Sequence, residues 1–308
     1  MVIRKKDIYE LFTFPPDDKS VAATKTRINF LCPILEGACV KNNDADSERN
    51  DPRLRGGLGV CSVQNPNPKN GLRETTVVCP VRLYGNNYNA LRTLAGEMLG
   101  VSSDEVLLFN EWQRGGKADN AVVLIGKYQG GELNTRIVGS FDWLAVRIAG
   151  RQVQHYAGIE VQAIDITGNY RAARAAYLKG HNNPPPSGHG LNWENVNKRI
   201  VPQLMRKGLY LQRLRDEGSV SIGFLVDWNV LQKIQARLSS PLVEETDGDF
   251  FIHAYYLDSE KNEKGMKSLK CGTKLRASID QLVKKFTDLG SKIEPIKPWL
   301  NEKFALGN

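Results

Sequence analysis

Residues 158–164 of this chain are Gly158-Ile159-Glu160-Val161-Gln162-Ala163-Ile164. Side chains two residues apart in a strand point to the same face, so Glu160 and Gln162 share one face while Val161 and Ala163 pack on the other. A carboxylate in an otherwise apolar strand is costly to bury unless it is paired or holds a metal ion. The segment therefore predicts a strand that carries a functional acid into a sheet.

A second acid stands near the start of the run Phe141-Asp142-Trp143-Leu144-Ala145-Val146, which also predicts a strand. If the two strands are adjacent, Asp142 and Glu160 could share one Mg²⁺, an ion that takes one or two carboxylates plus water and phosphate oxygens. Spacing alone leaves an alternative open, in which both acids are unrelated surface groups at strand ends. Asp119, which also begins a strand-like run, is a rival to Asp142.

Strand-like and helix-like segments alternate along the chain, and this alternation predicts an α/β fold. The hydrophobic periodicity predicts strands over 106–109, 121–127, 141–148, 158–166 and 219–227. It predicts helices over 88–100, 170–178, 194–215, 228–238 and 273–289.

The composition is that of a globular protein, with 308 residues of which 41% are hydrophobic and 25% are charged. No apolar run approaches the roughly 18 residues that a membrane helix needs. No signal-like apolar core follows the N-terminal residues. We therefore expect a soluble, cytoplasmic protein with no membrane partner.

The charge balance favours a polyanionic partner, because 42 basic residues outnumber 34 acidic ones. The excess is concentrated in residues 151–215, which hold ten lysines and arginines against three acids. A solvated basic face is the alternative explanation. The candidates for contacts with a polyanionic partner are Arg171, Arg174, Lys198, Arg199, Arg206 and Lys207.

Four of the five cysteines fall within a loop-rich segment, residues 31–80: Cys32, Cys39, Cys61 and Cys79. Such crowding predicts a tetrahedral thiolate site for one structural ion, and disulfides are disfavoured in the cytoplasm. Four unrelated buried cysteines remain the alternative. Composition does not choose between iron and zinc.

Three groups of residues together point to a known family. They are Gly139-Ser140-Phe141-Asp142-Trp143, the Glu160-Val161-Gln162 strand followed by Thr167-Gly168-Asn169-Tyr170, and the four-cysteine segment. Over roughly residues 30–215 the chain resembles the NotI/EagI family of type II restriction endonucleases. The C-terminal third shows no such resemblance.

The resemblance implies a PD-(D/E)XK fold, a mixed sheet flanked by helices with an inserted four-cysteine module. It implies Mg²⁺-dependent hydrolysis of double-stranded DNA by a homodimer, at a GC-rich palindrome with a GGCC core, and iron in the cysteine site. A cognate DNA methyltransferase is then expected in the same system. The corresponding division is an N-terminal segment, residues 1–85, and a nuclease core, residues 86–308, in one compact unit.

The resemblance also implies roles for single residues. Asp142, Glu160 and Gln162 correspond to the active site, and the four cysteines to the ligands of the structural ion. Glu111 is the candidate for an additional upstream acid, with Glu132 and Glu97 as alternatives. The usual third active-site residue is lysine. Gln162 cannot titrate, so proton removal would depend on the metal, and a degenerate, inactive site is the alternative.

Two other functions remain open at this point. One is a non-catalytic DNA-binding protein built around a four-cysteine module, and the other is a repair or structure-selective nuclease of the same fold. All three functions predict the basic segment, but the DNA-binding protein does not need Asp142 and Glu160 on adjacent strands.

Overall fold

The computed structural model describes residues 6–41, 58–67, 71–181, 184–261, 265–288 and 296–303. The strands are β1 (Asp7–Leu11), β2 (Leu31–Cys32), β3 (Gly37–Ala38), β4 (Val60–Pro66), β5 (Arg73–Val77), β6 (Val106–Leu108), β7 (Ala121–Gly126), β8 (Asn134–Thr135), β9 (Gly139–Ser140), β10 (Trp143–Ala149), β11 (Gln152–Gln162), β12 (Ile166–Asn169), β13 (Gly188–Leu191), β14 (Ser219–Asp227), β15 (Phe250–Lys261) and β16 (Lys267–Ala277).

The helices are α1 (Val21–Ile28), α2 (Asn89–Leu99), α3 (Phe109–Arg114), α4 (Arg171–Leu178), α5 (Val201–Gln212), α6 (Trp228–Arg237), α7 (Ile279–Thr287) and α8 (Ile296–Lys303). None of these helices combines the length and the apolar character needed to cross a membrane. A π-turn, Val196–Ile200, leads directly into α5.

A seven-stranded mixed sheet forms the centre of the fold, in the order β16-β15-β14-β11-β10-β7-β6. Strand β11 is central; it pairs antiparallel with β10 and parallel with β14. The chain reaches β14 only after α4 and α5, the kind of crossover that a parallel pair requires.

Helices cover both faces of this sheet, and each face has its own hydrophobic core. One core contains residues of α5, α6 and α7 packed against Phe141 and Phe224. The other contains the buried side of α2, packed against Trp143 and Ile159. Both faces of β11 are therefore buried near its end, which explains the apolar run Tyr156-Ala157-Gly158-Ile159 there.

The N-terminal segment forms a smaller antiparallel sheet in the order β1-β4-β5. Its buried residues Ile8, Leu11 and Val60 belong to the same core as the helices α5 and α6. A fully buried ion pair also ties this sheet to the segment after β5, because Arg82 Nη2 lies 2.9 Å from Glu10 Oε1. The small sheet thus shares a core with the large one.

The α/β class and most predicted elements are confirmed, with three differences. Residues 166–169 do not simply break a strand; they form β12, where Gly168 has φ +64° and a Cβ would meet the Gly188 carbonyl oxygen at 2.4 Å. Strand β11 begins at Gln152, six residues before the predicted start. The predicted helix 273–289 is wrong over its first part, because residues 267–277 form the edge strand β16.

Asp227 is a fully buried carboxylate at the junction of both sheets. It accepts hydrogen bonds from the amides of Val77 on β5, at 3.0 Å, and of Asn229 in the first turn of α6, at 2.8 Å. Burial raises its pKa to about 7, although these amides favour the charged form. The folded protein therefore holds a proton that the unfolded chain releases near pH 4.

We predict that the Asp227 proton makes stability fall as pH rises from about 4 to about 7. The free energy of unfolding should decrease by up to about 1.4 kcal/mol per pH unit from this group. Asp227→Asn, which keeps an acceptor at the start of α6 but does not titrate, should remove that part of the slope. Urea denaturation between pH 4.5 and 7.5 measures it, and the exposed Asp104→Asn is the control. Equal slopes for Asp227→Asn and wild type would contradict the prediction.

Candidate functional site

The pairing register brings the two predicted acids together. Trp143 on β10 lies opposite Ile159 on β11, so Asp142 and Glu160 follow side by side at the point where β10 begins and β11 nears its end. They interact electrostatically, because the charge of Asp142 contributes to the raised pKa of Glu160. The juxtaposition proposed from the sequence is therefore present in the fold.

Asp142 is held by the backbone of the neighbouring strand. Its Oδ2 accepts a hydrogen bond from the Val161 amide at 2.9 Å. Burial raises the pKa of Asp142, and the Val161 amide and the Lys207 ammonium partly oppose that shift. Within the described residues only Oδ2 accepts a hydrogen bond, which leaves Oδ1 for a ligand.

Glu160 is buried beneath helix α5, and both of its oxygens have partners. Lys207 Nζ lies 2.6 Å from Oε1, and Gln203 Nε2 donates to Oε2 at 3.1 Å. Burial and the neighbouring charge of Asp142 together raise the pKa of Glu160 to about 8, although Lys207 acts in the opposite direction. A bound dication would act in the same direction as Lys207 and favour the charged form.

Gln162 is half-buried at the end of β11, two residues beyond Glu160. Lys207 and Gln203 are the residues of this site that the sequence analysis did not place there. A signal existed for Lys207, because it lies within the stripe Leu204, Gly208 and Leu211 that α5 turns to the core. Helical spacing alone would have placed Lys207 inside the protein.

The prediction that Glu111 is the upstream acid is not supported, since Glu111 has a different role in the fold. Both its oxygens lie 2.7 Å from Arg92 Nη2, and Oε2 also accepts from the Leu108 amide at the start of α3. Glu97 likewise pairs with His253 and Lys274. Of the three candidates, only the exposed Glu132 is among the charges that shift the pKa of Asp142.

Two of the six predicted DNA contacts are buried, and for them the prediction is wrong. Arg174 Nε donates to the Leu58 carbonyl oxygen at 2.7 Å, and its guanidinium lies over the Phe30 ring. Lys207 pairs with Glu160. Both lie on the core side of their helices, where an ammonium or guanidinium group cannot reach a phosphate on the surface.

The other predicted contacts are more accessible. Lys198, Arg199 and Arg206 are exposed, on or just before α5, and Arg171 is half-buried at the start of α4. Lys127, which the sequence did not indicate as a site residue, is an exposed cation that lowers the pKa of Asp142. A single lysine at the end of a strand does not indicate, from the sequence, which acid it will lie near.

The four cysteines come from two separate hairpin-like pairs. Cys32 and Cys39 flank the β2–β3 turn, where Cys32 pairs with Gly37. Cys61 lies on β4, and its carbonyl accepts from the Val78 amide next to Cys79. All four line one small cavity, together with Lys41 and Arg82. The basic residues 49, 53 and 55, which lie between Cys39 and Cys61 in the sequence, are outside the described residues.

The chemistry of this cavity partly fits a thiolate centre. The amides of Ile34 and Leu35 hydrogen-bond to Cys32 and favour its thiolate, whereas burial raises the pKa of Cys32. The buried Tyr170 hydroxyl has no hydrogen-bond partner within the described ranges, and the charges of three of the cysteines contribute to its raised pKa. As placed in those ranges, however, no three Cys, His, Asp or Glu side chains are arranged to hold an ion. The ion therefore stays a prediction.

The chain matches no protein-family model and no curated protein. Any function must therefore be argued from the contacts described above.

If the four cysteines hold one ion, the purified protein should contain one iron or zinc per chain, measurable by elemental analysis. Cys61→Ser should lose this ion and lower the melting temperature by several degrees, because metal binding is part of the local folding free energy. Cys271→Ser, at an exposed position on β16, is the matched control. Freshly purified, folded protein without stoichiometric iron or zinc would exclude the ion.

Proposed function

We propose that this chain is a metal-dependent nuclease that cleaves double-stranded DNA, and specifically a type II restriction endonuclease of the PD-(D/E)XK type. The observation that supports this best is the placement of Asp142 and Glu160 side by side on adjacent strands, at one end of the central strand pair. A DNA-binding protein without catalytic activity has no need for a buried acid, Glu160, with a second, half-buried acid, Asp142, beside it.

The two carboxylates suit a hard dication such as Mg²⁺. Oδ1 of Asp142 and the remaining lone pairs of Glu160 would hold it. When bound, such an ion lowers the pKa of a water molecule and neutralises charge that develops on a phosphate.

The residues of the chain supply position and orientation. The Val161 amide fixes Asp142, and Gln203 and Lys207 fix Glu160. Gln162 lies on the same strand face as Glu160, and its amide can orient a water molecule but cannot accept its proton. The burial of Glu160 and the partial burial of Asp142 limit the access of bulk water to these groups.

The exposed cations that surround the site would bind the DNA backbone. Lys198, Arg199 and Arg206 belong to the helical segment that covers Glu160, and Lys127 lies beside Asp142. A homodimer with two-fold symmetry would match a palindromic site. One cut in each strand would then require one such site per subunit.

We predict that Asp142→Asn and Glu160→Gln each reduce cleavage of duplex DNA by at least about 1,000-fold, because each removes a charged metal ligand. DNA affinity, measured with Ca²⁺ in place of Mg²⁺, should change less than about threefold. Asp119→Asn is the control, because Asp119 pairs with exposed Arg151 on the surface and was the rival candidate. Full cleavage by either active-site variant would refute the assignment.

We further predict that Arg199→Ala or Arg206→Ala weakens DNA binding and reduces its salt dependence. Each lost phosphate contact should lower the slope of log affinity against log salt by about 0.9. Arg151→Ala, at the turn between β10 and β11, should leave the slope unchanged. Fluorescence anisotropy between 50 and 300 mM salt measures it. If the Arg151 variant alone changed the slope, the DNA surface would lie at the opposite end of the sheet.

Incubation with a plasmid library and Mg²⁺, followed by sequencing of the DNA ends, separates the three candidate functions. A restriction endonuclease produces ends at one palindromic sequence. A structure-selective nuclease produces ends at junctions or lesions, and a non-catalytic DNA-binding protein produces none.

A further inference from the structure

We infer that Lys207 on helix α5 supplies the fixed positive charge of the active site, in place of the lysine that position 162 lacks. This inference rests on the proposed nuclease function. It assigns to Lys207 the role of a positioning residue that acts through Glu160, rather than contact with DNA.

The ammonium group of Lys207 contacts groups next to both acids. Lys207 Nζ lies 2.6 Å from Glu160 Oε1, donates to the carbonyl oxygen of Ser140, and lies 5.2 Å from the centre of the Phe141 ring. Ser140 and Phe141 immediately precede Asp142. The ammonium therefore joins the two strand ends that carry the acids, and its charge reaches both.

The side chain of Lys207 is buried, and the helix around it is tightly packed. Its side chain is 2% exposed and that of Glu160 is 1% exposed. On α5 it is followed by Gly208, where a Cβ would meet Ile279 at 2.3 Å, so this turn of the helix is packed tightly against α7. The backbone that carries Lys207 is therefore held at a fixed distance from the sheet.

The choice of residue is a further argument. A buried ion pair contributes little net stability, and well-packed apolar residues in its place are often equally or more stabilising. Helix α5 already has apolar residues above and below, Leu204 and Leu211. Stability alone therefore gives no reason for the Glu160–Lys207 pair as a whole. A site in which two adjacent acids must both be charged does give such a reason.

The position also fits the chemistry that Gln162 cannot perform. Residue 162 and residue 160 share one face of β11, and α5 covers that same face at Glu160. A lysine could therefore place its ammonium near the acids either from position 162 on β11 or from position 207 on α5. In this chain the lysine is at position 207.

The test moves the lysine from position 207 to position 162 and the glutamine from position 162 to position 207. Lys207→Gln keeps a hydrogen-bond donor but removes the charge, so kcat for DNA cleavage should fall at least 100-fold while KM changes less than threefold. Lys207→Arg keeps the charge and should retain more activity than Lys207→Gln. In Lys207→Gln/Gln162→Lys the charge is moved to the strand, and kcat should recover at least tenfold over Lys207→Gln.

Ile234→Ala on α6, a buried change distant in sequence from the site, is the matched control for lost stability. A Lys207→Gln variant with the kcat of wild type would overturn the inference. So would a loss no larger than that of Ile234→Ala at an equal drop in melting temperature. If Lys207→Gln does not fold, the double variant decides alone: folded and active supports the inference, folded and inactive overturns it.

The nuclease proposal and the inference about Lys207 are contradicted by different outcomes. If the wild-type protein does not cleave DNA with Mg²⁺, the nuclease proposal fails and Lys207 has no catalytic site to position. If the wild type cleaves and Glu160→Gln does not, but Lys207→Gln is fully active, only the inference about Lys207 fails.

Discussion

Burial of Glu160 between the central strand and helix α5 is the constraint on which the arrangement depends. A buried carboxylate without a counter-charge would cost about 3–5 kcal/mol, and a second acid stands beside it. Lys207 offsets this cost only if α5 crosses the sheet with Gln203 and Lys207 facing Glu160 on β11. With Gln203 and Lys207 on the side of α5 that faces the sheet, Arg206 lies exposed on another side of the helix.

The same constraint separates the two parts of the proposed function. The acids are held by strands whose faces are both covered, so they have little freedom to move. The cations proposed to bind DNA stand on exposed positions of helices and loops, where long side chains can adapt to a phosphate backbone. Cleavage at a defined bond requires catalytic groups in fixed positions, whereas the side chains that bind the DNA backbone can adapt to it.

The sequence predicted the parts whose periodicity reflects burial. The adjacency of Asp142 and Glu160 was predicted correctly, because each acid lies within or next to an apolar, strand-like run. The prediction that Arg174 and Lys207 contact DNA was wrong, because the number of basic residues in a segment does not show which side of a helix is buried. Strand β16 was mistaken for the start of a helix, because Ala277 is its one buried residue and an edge strand leaves most side chains exposed. No pattern in the sequence could place Lys127 or Glu132 near Asp142, since that proximity depends on how β7 and β10 pair.

The buried polar contacts have a further consequence for how the chain folds. They join residues far apart in sequence: 72 positions for Glu10 and Arg82, 47 for Glu160 and Lys207, and 150 for Val77 and Asp227. In a partly assembled intermediate each of these groups would be either solvated or buried without its partner, and the second state is strongly unfavourable. Intermediates that bury one partner early are thereby penalised. The polar groups in the core should make unfolding more cooperative, even where they add little to its total free energy.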